Sequence, residues 1–422
     1  VKPLTRRTVL RGAGAAVAIS ACGPDFELKG NFPLGVASGE ATASSVILWT
    51  MYRGKQPLKV KVTDEAGALV FEAEAPVENG DVAHVDVAGL TPYTRYEFQF
   101  FDGHGELSAT GRFRTALPAG SRRPLTFGAV SCTKEGYDLA ALSHAGGRED
   151  LDAFLLLGDT VYCDGADGIA EFRDKWRSGI ADPNQQSLRA STSLIMTWDD
   201  HELFNNWDAD EVPKTEFDNG LQAYFEHQPT RSGPLGQAIW RSHKWGDTAE
   251  VFVLDCRGER KPSEQIYLSR PQLDWLKLGL KNSTATFKLI LNSVPISNFP
   301  GAFFATGTQD RWQGYPKQRE ELLSYIDDLK LRGVLWLSGD FHLGCVGRVS
   351  LQGPGQTQLE ALVGPGGQLA NPSPSYPEEP QFDWASGINN YTTLGLDPAT
   401  GKIRIRYFDA AGKVIFDRTY EP

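Results

Sequence analysis

Residues 154–162 read FLLLGDTVY. A short apolar run of this kind, cut off at Gly158-Asp159, has the length of a buried parallel strand. An open α/β sheet binds its ligands at the carboxyl ends of such strands. The pattern recurs in LIMTWDDHE (194–202) and GVLWLSGDFH (333–342), which end in acids and a histidine, and in LTFGAVSC (125–132), which ends in a cysteine. Four strand ends carrying these side chains point to one shared metal site and constrain the chain to a layered α/β fold.

A chain of 422 residues is long for one domain, and two are expected. Residues 28–115 read as an all-β unit. SSVILWTMY, LKVKVTD, LVFEAEA, VAHVDVAG, TRYEFQFFD and ATGRFRT alternate between turns rich in Gly, Pro, Asp or Asn, a sandwich pattern. No charged or histidine cluster stands out there, so its expected part is structural or accessory. Residues 116–121 read as a linker. From Leu125 buried strands alternate with amphipathic stretches at 168–180, 270–282 and 315–333, and 288–299 supplies another strand and its exit loop. The last segments, QLEALVGP, YTTLGLD, KIRIRYFDA and KVIFDRTY, read as antiparallel β.

Residues 1–22 read as an address. Thr5-Arg6-Arg7-Thr8-Val9-Leu10-Arg11 is a twin-arginine signature, Gly12 to Ile19 is a short apolar region, and Ile19-Ser20-Ala21-Cys22 resembles a lipoprotein cleavage box. The expectation is export by the twin-arginine machinery to the periplasm or cell surface, with a lipid anchor on Cys22. A plain signal peptide with an incidental cysteine is the alternative. The apolar stretch is far shorter than the roughly 20 residues of a membrane-spanning helix. A net charge of −11 with no basic stripe argues against a nucleic-acid partner.

The donor types narrow the chemistry. Asp159 has two oxygens and can bridge two cations. A phenol with a pKa near 10 ligates at neutral pH only to a strong Lewis acid, so Tyr162 points to a trivalent ion such as ferric iron. Taken alone, Tyr162 reads as a packed aromatic; beside Asp159 and Cys132 the ligand reading is the stronger. A Cys132 thiolate suits iron as well. In 199–206, Asp200 or Asn206 is expected at the metals, and His201 at the leaving group as general acid or charge stabiliser. Asp199 and Glu202 read alternatively as carboxylates at a helix N-terminus. Asp340 and His342 alternate on an extended segment and can face one side. Arg257, ahead of Arg260, reads as a bidentate phosphoryl clamp, or else as a salt bridge to Asp255 or Glu259. Cys163, Cys256 and Cys345 read as buried and inert or paired. His84, His104, His144, His227 and His243 read as surface or structural.

In order, GDTVY, WDDHE…NNW, LDCRGER, DRWQGYP (310–316) and SGDFH resemble the motifs of the alkaline phosphatase D (PhoD-like) family, and NFPLGVASGEATASSVILWT (31–50) resembles the opening of its N-terminal β domain. That family is similar to the purple acid phosphatases and other calcineurin-like metallophosphoesterases. The resemblance implies a four-layer α/β/β/α core with its β-sandwich, at 125–422, preceded by an Ig/fibronectin-III-like sandwich at 28–115. It implies ferric iron (Fe3+) held by Cys132, Asp159, Tyr162 and a later histidine or aspartate, matched by His342 and Asp340. It implies calcium (Ca2+) at a second site of Asp159, Asp340 and Asn206 or Asn205. The broader superfamily carries Asn-His where Asp200-His201 stand, which leaves the ligand among 199–206 open. Purple acid phosphatases also carry a histidine after the strand matching 288–299, and none stands here.

The activity this implies is hydrolysis of a small phosphate ester by a metal-bound oxygen nucleophile, with Arg257 holding the ester and His201 assisting the leaving oxygen. Monoester and diester hydrolysis need nearly the same metals, so a phosphodiesterase or phospholipase D-type hydrolase is the alternative within the class. A catalytically silent binding lipoprotein is the alternative outside it. The intact donors speak against that one.

Overall fold

The computed structural model describes residues 28–231, 236, 238–299, 308–369 and 380–422; the twin-arginine segment and Cys22 lie outside them. The first seven strands are β1 (Val36–Gly39), β2 (Ser45–Met51), β3 (Leu58–Asp64), β4 (Leu69–Glu74), β5 (Val82–Ala88), β6 (Arg95–Asp102) and β7 (Gly111–Arg114). There follow β8 (Leu125–Val130), α1 (Ala140–Gly146), β9 (Ala153–Leu157), α2 (Gly168–Ile180), α3 (Pro183–Ser191), β10 (Ser193–Thr197) and α4 (Lys214–His227). Next come β11 (Arg241–Trp245), β12 (Ala249–Val253), α5 (Arg270–Asn282), β13 (Phe287–Leu291), α6 (Pro316–Asp328) and β14 (Val334–Ser338). The chain closes with β15 (Gly344–Arg348), β16 (Leu359–Leu362), β17 (Phe382–Ser386), β18 (Asn390–Asp397), β19 (Lys402–Asp409) and β20 (Val414–Tyr420).

Among the described residues the strands form sheets of nine (β20-β19-β18-β8-β9-β10-β1-β2-β5), seven (β11-β12-β13-β14-β16-β15-β17) and four (β4-β3-β6-β7). Strands β8, β9 and β10 run parallel, as do β12, β13, β14 and β16. Parallel strands end at one edge of their sheet, which brings the motifs together. Alternation sets the layers. Val251, Val253, Leu289, Leu291, Leu335 and Leu337 share a core with Leu155 and Leu157 of the nine-stranded sheet. Phe252, Ile290 and Trp336, one residue out of phase, pack instead with Leu273 and Leu276 of α5 and Leu322 and Ile326 of α6. The crossovers through α1 and through α2–α3 join parallel neighbours, and their common right hand puts those helices on the outer face of the nine-stranded sheet. The result is the four-layer α/β/β/α core.

Helices α2 and α5 span the expected residues. Helix α6 stops at Asp328, short of Gly333, because Lys330 turns left-handed (φ +52°) and the Leu331 N–H returns to the Ile326 carbonyl at 3.0 Å. The N-terminal sandwich forms over its own core of Val46, Leu48, Val60, Phe98 and Phe100. Its sheet is nevertheless continuous with the next one, since β1 pairs parallel with β10 (Ser38↔Ser193, Gly39↔Leu194). Glu40 of this unit meets charged residues from beyond it. It is fully buried, lies 2.5 Å from Arg241 Nε, and accepts the Arg231 N–H at 2.8 Å. Burial would raise its pKa, but Arg241 and His243 outweigh burial and hold it low. A lone glutamate after Gly39 reads as a turn residue, so nothing local marks this lock.

His227, at the end of α4, is structural as expected. It is buried against Trp176 (ring centroids 5.8 Å apart, 20° between planes), and its Nδ1–H donates to the Ala223 carbonyl at 2.9 Å. Burial first, then Arg177, Arg189 and Arg173, push its pKa down to about 3. The folded state therefore keeps it neutral while the unfolded chain protonates it near 6.5. Stability is lost as pH falls from about 6.5 towards the folded value. His227→Phe, whose ring fills the same space, should lose about 2 kcal/mol less than the parent between pH ~7.5 and ~5 in urea titrations. Identical pH dependence in the two proteins would contradict this.

Candidate metal centre

The repeated Gly-Asp pair has a steric cause. Gly158 sits at φ +89°, and a Cβ there would lie 2.5 Å from the Asp199 Cβ; at Gly339 it would lie 2.6 Å from the Ser131 Cβ. Only glycine lets these strand ends approach so closely. The aspartates that follow then turn left-handed, Asp159 at +53° and Asp340 at +64°, as do Cys132 at +56° and His342 at +48°. Each such turn costs a non-glycine residue about 1 kcal/mol or more and persists where neighbours enforce it. Here the Cys132 N–H donates to the Gly158 carbonyl (3.3 Å), Thr133 N–H to that of Asp159 (2.9 Å) and Gly339 N–H to that of Ser293 (2.7 Å).

These turns aim the side chains at one place. Cys132 Sγ and the Tyr162 hydroxyl each lie 3.4 Å from the same oxygen, Asp159 Oδ2. Three sets of donor atoms each fall within 4.8 Å of one another: Cys132, Asp159 and His342; Asp159, Asp200 and His201; Asp199, Asp200 and Asp340. Asp159 joins the first two sets and Asp200 the last two, so the sets form a continuous chain. Asp340 shares a donor set with Asp199 and Asp200, and its charge reaches Asp159.

The electrostatics ask for cations. Burial, then Asp200, Asp199, Glu202 and Asp340, raise the Asp159 pKa well above the carboxylate range. Burial, Asp199 and Asp310 do the same to Asp340. Burial and Asp159 raise the Cys132 thiol and the Tyr162 phenol. Asp200 escapes: burial opposes ionisation, but Arg257, His201 and the Asn206 N–H hold it at about 2. Asp199 Oδ2 and Asp200 Oδ1 are buried without a hydrogen-bond partner. A mutually repelling set of sulfur, phenol, imidazole and carboxylate donors with orphaned oxygens fits bound metal ions, which would lower every one of these pKa values. The Cys132–Tyr162 end suits a transition metal, and the all-carboxylate end suits a hard cation.

His201 lies beside Asp159 and Asp200. Its ring lies against that of Tyr162 (centroids 4.1 Å apart, 33° between planes), and its Nδ1 is 2.6 Å from Asp164 Oδ2. Burial would lower its pKa, but the Asp164 bond and the Asp200 charge raise it. The Arg257 guanidinium pairs with neither Asp255 nor Glu259, and two of its three nitrogens are taken by other carboxylates, with Nη2 left without a hydrogen bond. Fully enclosed, it donates from Nε to Asp199 (2.6 Å) and from Nη1 to Asp310, with Nη2 3.6 Å from Asp340 and 3.8 Å from Asp200. It is the counter-charge behind the carboxylates. Arg260 is likewise taken up, by Asp310 (2.8 Å) and the Trp207 carbonyl (2.6 Å).

Asn206, expected as an oxygen ligand, offers its backbone N–H to Asp200 (2.6 Å), and its side-chain amide lies beside Asp200 and Asp310. Asn205 is exposed and donates its N–H to Asp164 (2.9 Å). The helix-end reading of Asp199 and Glu202 fails because the chain turns through 201–206 and α4 starts only at Lys214. Asp199 joins the donor chain and also accepts from Ser293 Oγ (2.9 Å). Glu202 accepts three backbone N–H groups, from Asp159 (3.1 Å), Thr160 (2.7 Å) and Asp199 (2.9 Å), and so clasps two strand ends. Cys163, Cys256 and Cys345 are buried free thiols.

A model of the PhoD-like phosphatase family matches residues 127–365, and one of that family's N-terminal domain matches residues 19–117. Alkaline phosphatase D of Bacillus subtilis (strain 168) is 29% identical over 379 aligned residues, covering 74% of this chain and 64% of that protein. The chain thus spans less than two thirds of this curated relative. A solved structure of PhoD superposes with a TM-score of 0.81 at 23% identity, covering 94% of this chain and 90% of the other. Purple acid phosphatase PPD1 from yellow lupin (Lupinus luteus) seeds superposes at 0.70 with 13% identity, covering 92% and 73%. At these identities the superpositions establish the fold.

Proposed function

The chain belongs to the PhoD-like phosphatase family, and from that footing we propose that it is a metal-dependent hydrolase of small phosphate esters acting at the Asp159–Asp340 edge. The observation that carries the reading is the convergence of Cys132 Sγ and the Tyr162 hydroxyl on Asp159 Oδ2, each at 3.4 Å. In this reading Cys132, Asp159, Tyr162 and His342 hold ferric iron, and Asp199, Asp200 and Asp340 hold calcium. Those ions, when bound, neutralise charge on the phosphoryl oxygens and acidify water.

The chain's own residues supply the rest. With Nδ1 engaged by Asp164, His201 keeps Nε2 for the reaction, and there it can hold the proton that passes to the leaving oxygen. Glu202 fixes the strand ends bearing Asp159 and Asp199. Arg257 is a positioning residue that keeps Asp199 from recoiling from its neighbours. We also propose the division at 28–115 and 125–422, and delivery by the twin-arginine route to the periplasm or cell surface with an anchor at Cys22. Thr5–Arg11 and Ile19–Cys22 support that delivery.

Elemental analysis combined with monoester and diester assays on one sample tests this. Iron, calcium and hydrolysis are expected together, with the ratio of the two activities fixing the ester class. Tyr162→Phe should abolish both turnover and the visible phenolate-to-iron absorption while the far-ultraviolet spectrum survives. A colourless protein, inert after loading with iron and calcium, would leave the binding-lipoprotein role.

A further inference from the structure

The deep cations of the site are largely engaged: Arg257 holds Asp199 and Asp310 through Nε and Nη1, leaving only its enclosed Nη2 without a hydrogen bond, and Arg260 holds Asp310 and the Trp207 carbonyl. An incoming phosphate ester is itself an anion and meets walls made of Asp159, Asp199, Asp200 and Asp340. Metal ions offset those walls, but a positive group at the entrance is still needed to draw the ester in and fix its orientation.

Lys134 is placed beside the donor chain to supply that charge. It follows Cys132 by two residues, and its backbone is pinned, its N–H donating to the Gly367 carbonyl at 2.9 Å. Its ammonium lies 4.7 Å from the centroid of the Tyr162 ring. That ring carries the hydroxyl beside Asp159 and lies against that of His201. Its charge is also felt at His342, where burial and His201 lead and Lys134 adds to the push against protonation. Lys134 thus lies close to Tyr162 and His342, which flank the donor chain. It is half-buried, and the contact of its ammonium is an aromatic face. Glu135 beside it feels the charge, but its Oε2 makes no hydrogen bond. A cation–π contact at a half-exposed position is weak, whereas an ammonium on a phosphoryl oxygen makes a charge-assisted hydrogen bond. A lysine stem is long enough and loose enough to exchange one for the other.

We propose that Lys134 is the substrate-binding cation of this site: its ammonium leaves the Tyr162 face and hydrogen-bonds a non-bridging oxygen of the phosphoryl group, holding the ester over the donor chain. This rests on the phosphoesterase reading and adds the residue that recognises the anion.

The test uses the metal-loaded full chain. KM and kcat are measured for a chromogenic phosphate ester, and the affinity for inorganic phosphate by calorimetry. Lys134→Ala should raise KM and weaken phosphate binding by about tenfold each, with kcat changed by less than about threefold. Lys134→Gln, which keeps the stem over Tyr162 without the charge, should behave like Lys134→Ala, and Lys134→Arg should recover most of the affinity. An active Lys134→Ala with unchanged KM and phosphate affinity would overturn the assignment while the phosphoesterase reading stood. A fall in kcat alone would mean that Lys134 acts by steadying Tyr162, and would overturn it too. Phosphate affinity lost on substitution in a protein with no hydrolytic activity would keep Lys134 as an anion site and remove the phosphoesterase reading. A parent that neither binds phosphate nor hydrolyses esters would end both.

Discussion

Asp159→Asn should cut turnover by on the order of 10³-fold or more, since it removes the carboxylate shared by two donor sets and with it several kcal/mol of transition-state stabilisation. The metal-free variant should nevertheless melt no lower than the parent. Asp159 is buried among Asp200, Asp199, Glu202 and Asp340, all of which disfavour its ionised form. Asparagine has the same shape without the charge, so the substitution relieves repulsion when no cation is present to offset it. Adding metal should then raise the parent's melting temperature and leave the variant's nearly still, because ligand-linked stabilisation needs a competent site. Calorimetry of both proteins with and without metal reads this out. A variant that melts well below the metal-free parent would show Asp159 to be a structural residue.

Arg257→Ala should have the largest effect on folding. It leaves the buried Asp199 without its counter-charge, leaves the half-buried Asp310 to Arg260 alone, and strips Asp200 and Asp340 of a nearby positive charge. Removing one member of a buried ion pair typically costs about 3–5 kcal/mol. Arg257→Lys should recover only part of this, because a single ammonium cannot reproduce a fork that binds two carboxylates from different nitrogens. The loss should shrink when metal is added, since cations supply charge to the same oxygens. Denaturation midpoints of the metal-free and metal-loaded forms decide it. Equal midpoints for parent and Arg257→Ala in the metal-free state would refute the counter-charge role.

The donors were legible because each is a polar residue ending an apolar run, a signal contained in fewer than ten residues. Cys132, Asp159, Tyr162, Asp200, Asp340 and His342 all meet in the structure for that reason. What was not legible depends on partners far along the chain. Arg257 looked available to a ligand because Asp310, in a segment with no strand or long helix of its own, gives no sign of approaching it. Glu202 looked like a helix-end carboxylate, and its true partners are backbone N–H groups, which every residue has and no sequence pattern displays. Asp199 and Asp200 are neighbours in a turn, yet both enter one donor set because the turn is tight against Gly158. The layers themselves were readable from strand alternation. The union of two sheets through β1 and β10 was not, since β1 offers only four residues of undistinguished composition.

That union has a bearing on how the molecule is assembled. During synthesis β1 leaves the ribosome long before β10 exists, so the amino-terminal sandwich waits with an unsatisfied border. A truncated fragment starting after the linker would have the opposite defect, an apolar β10 with its N–H and C=O groups open to any stray chain. The small sandwich thus covers an edge of the larger half that would otherwise be open to strand pairing.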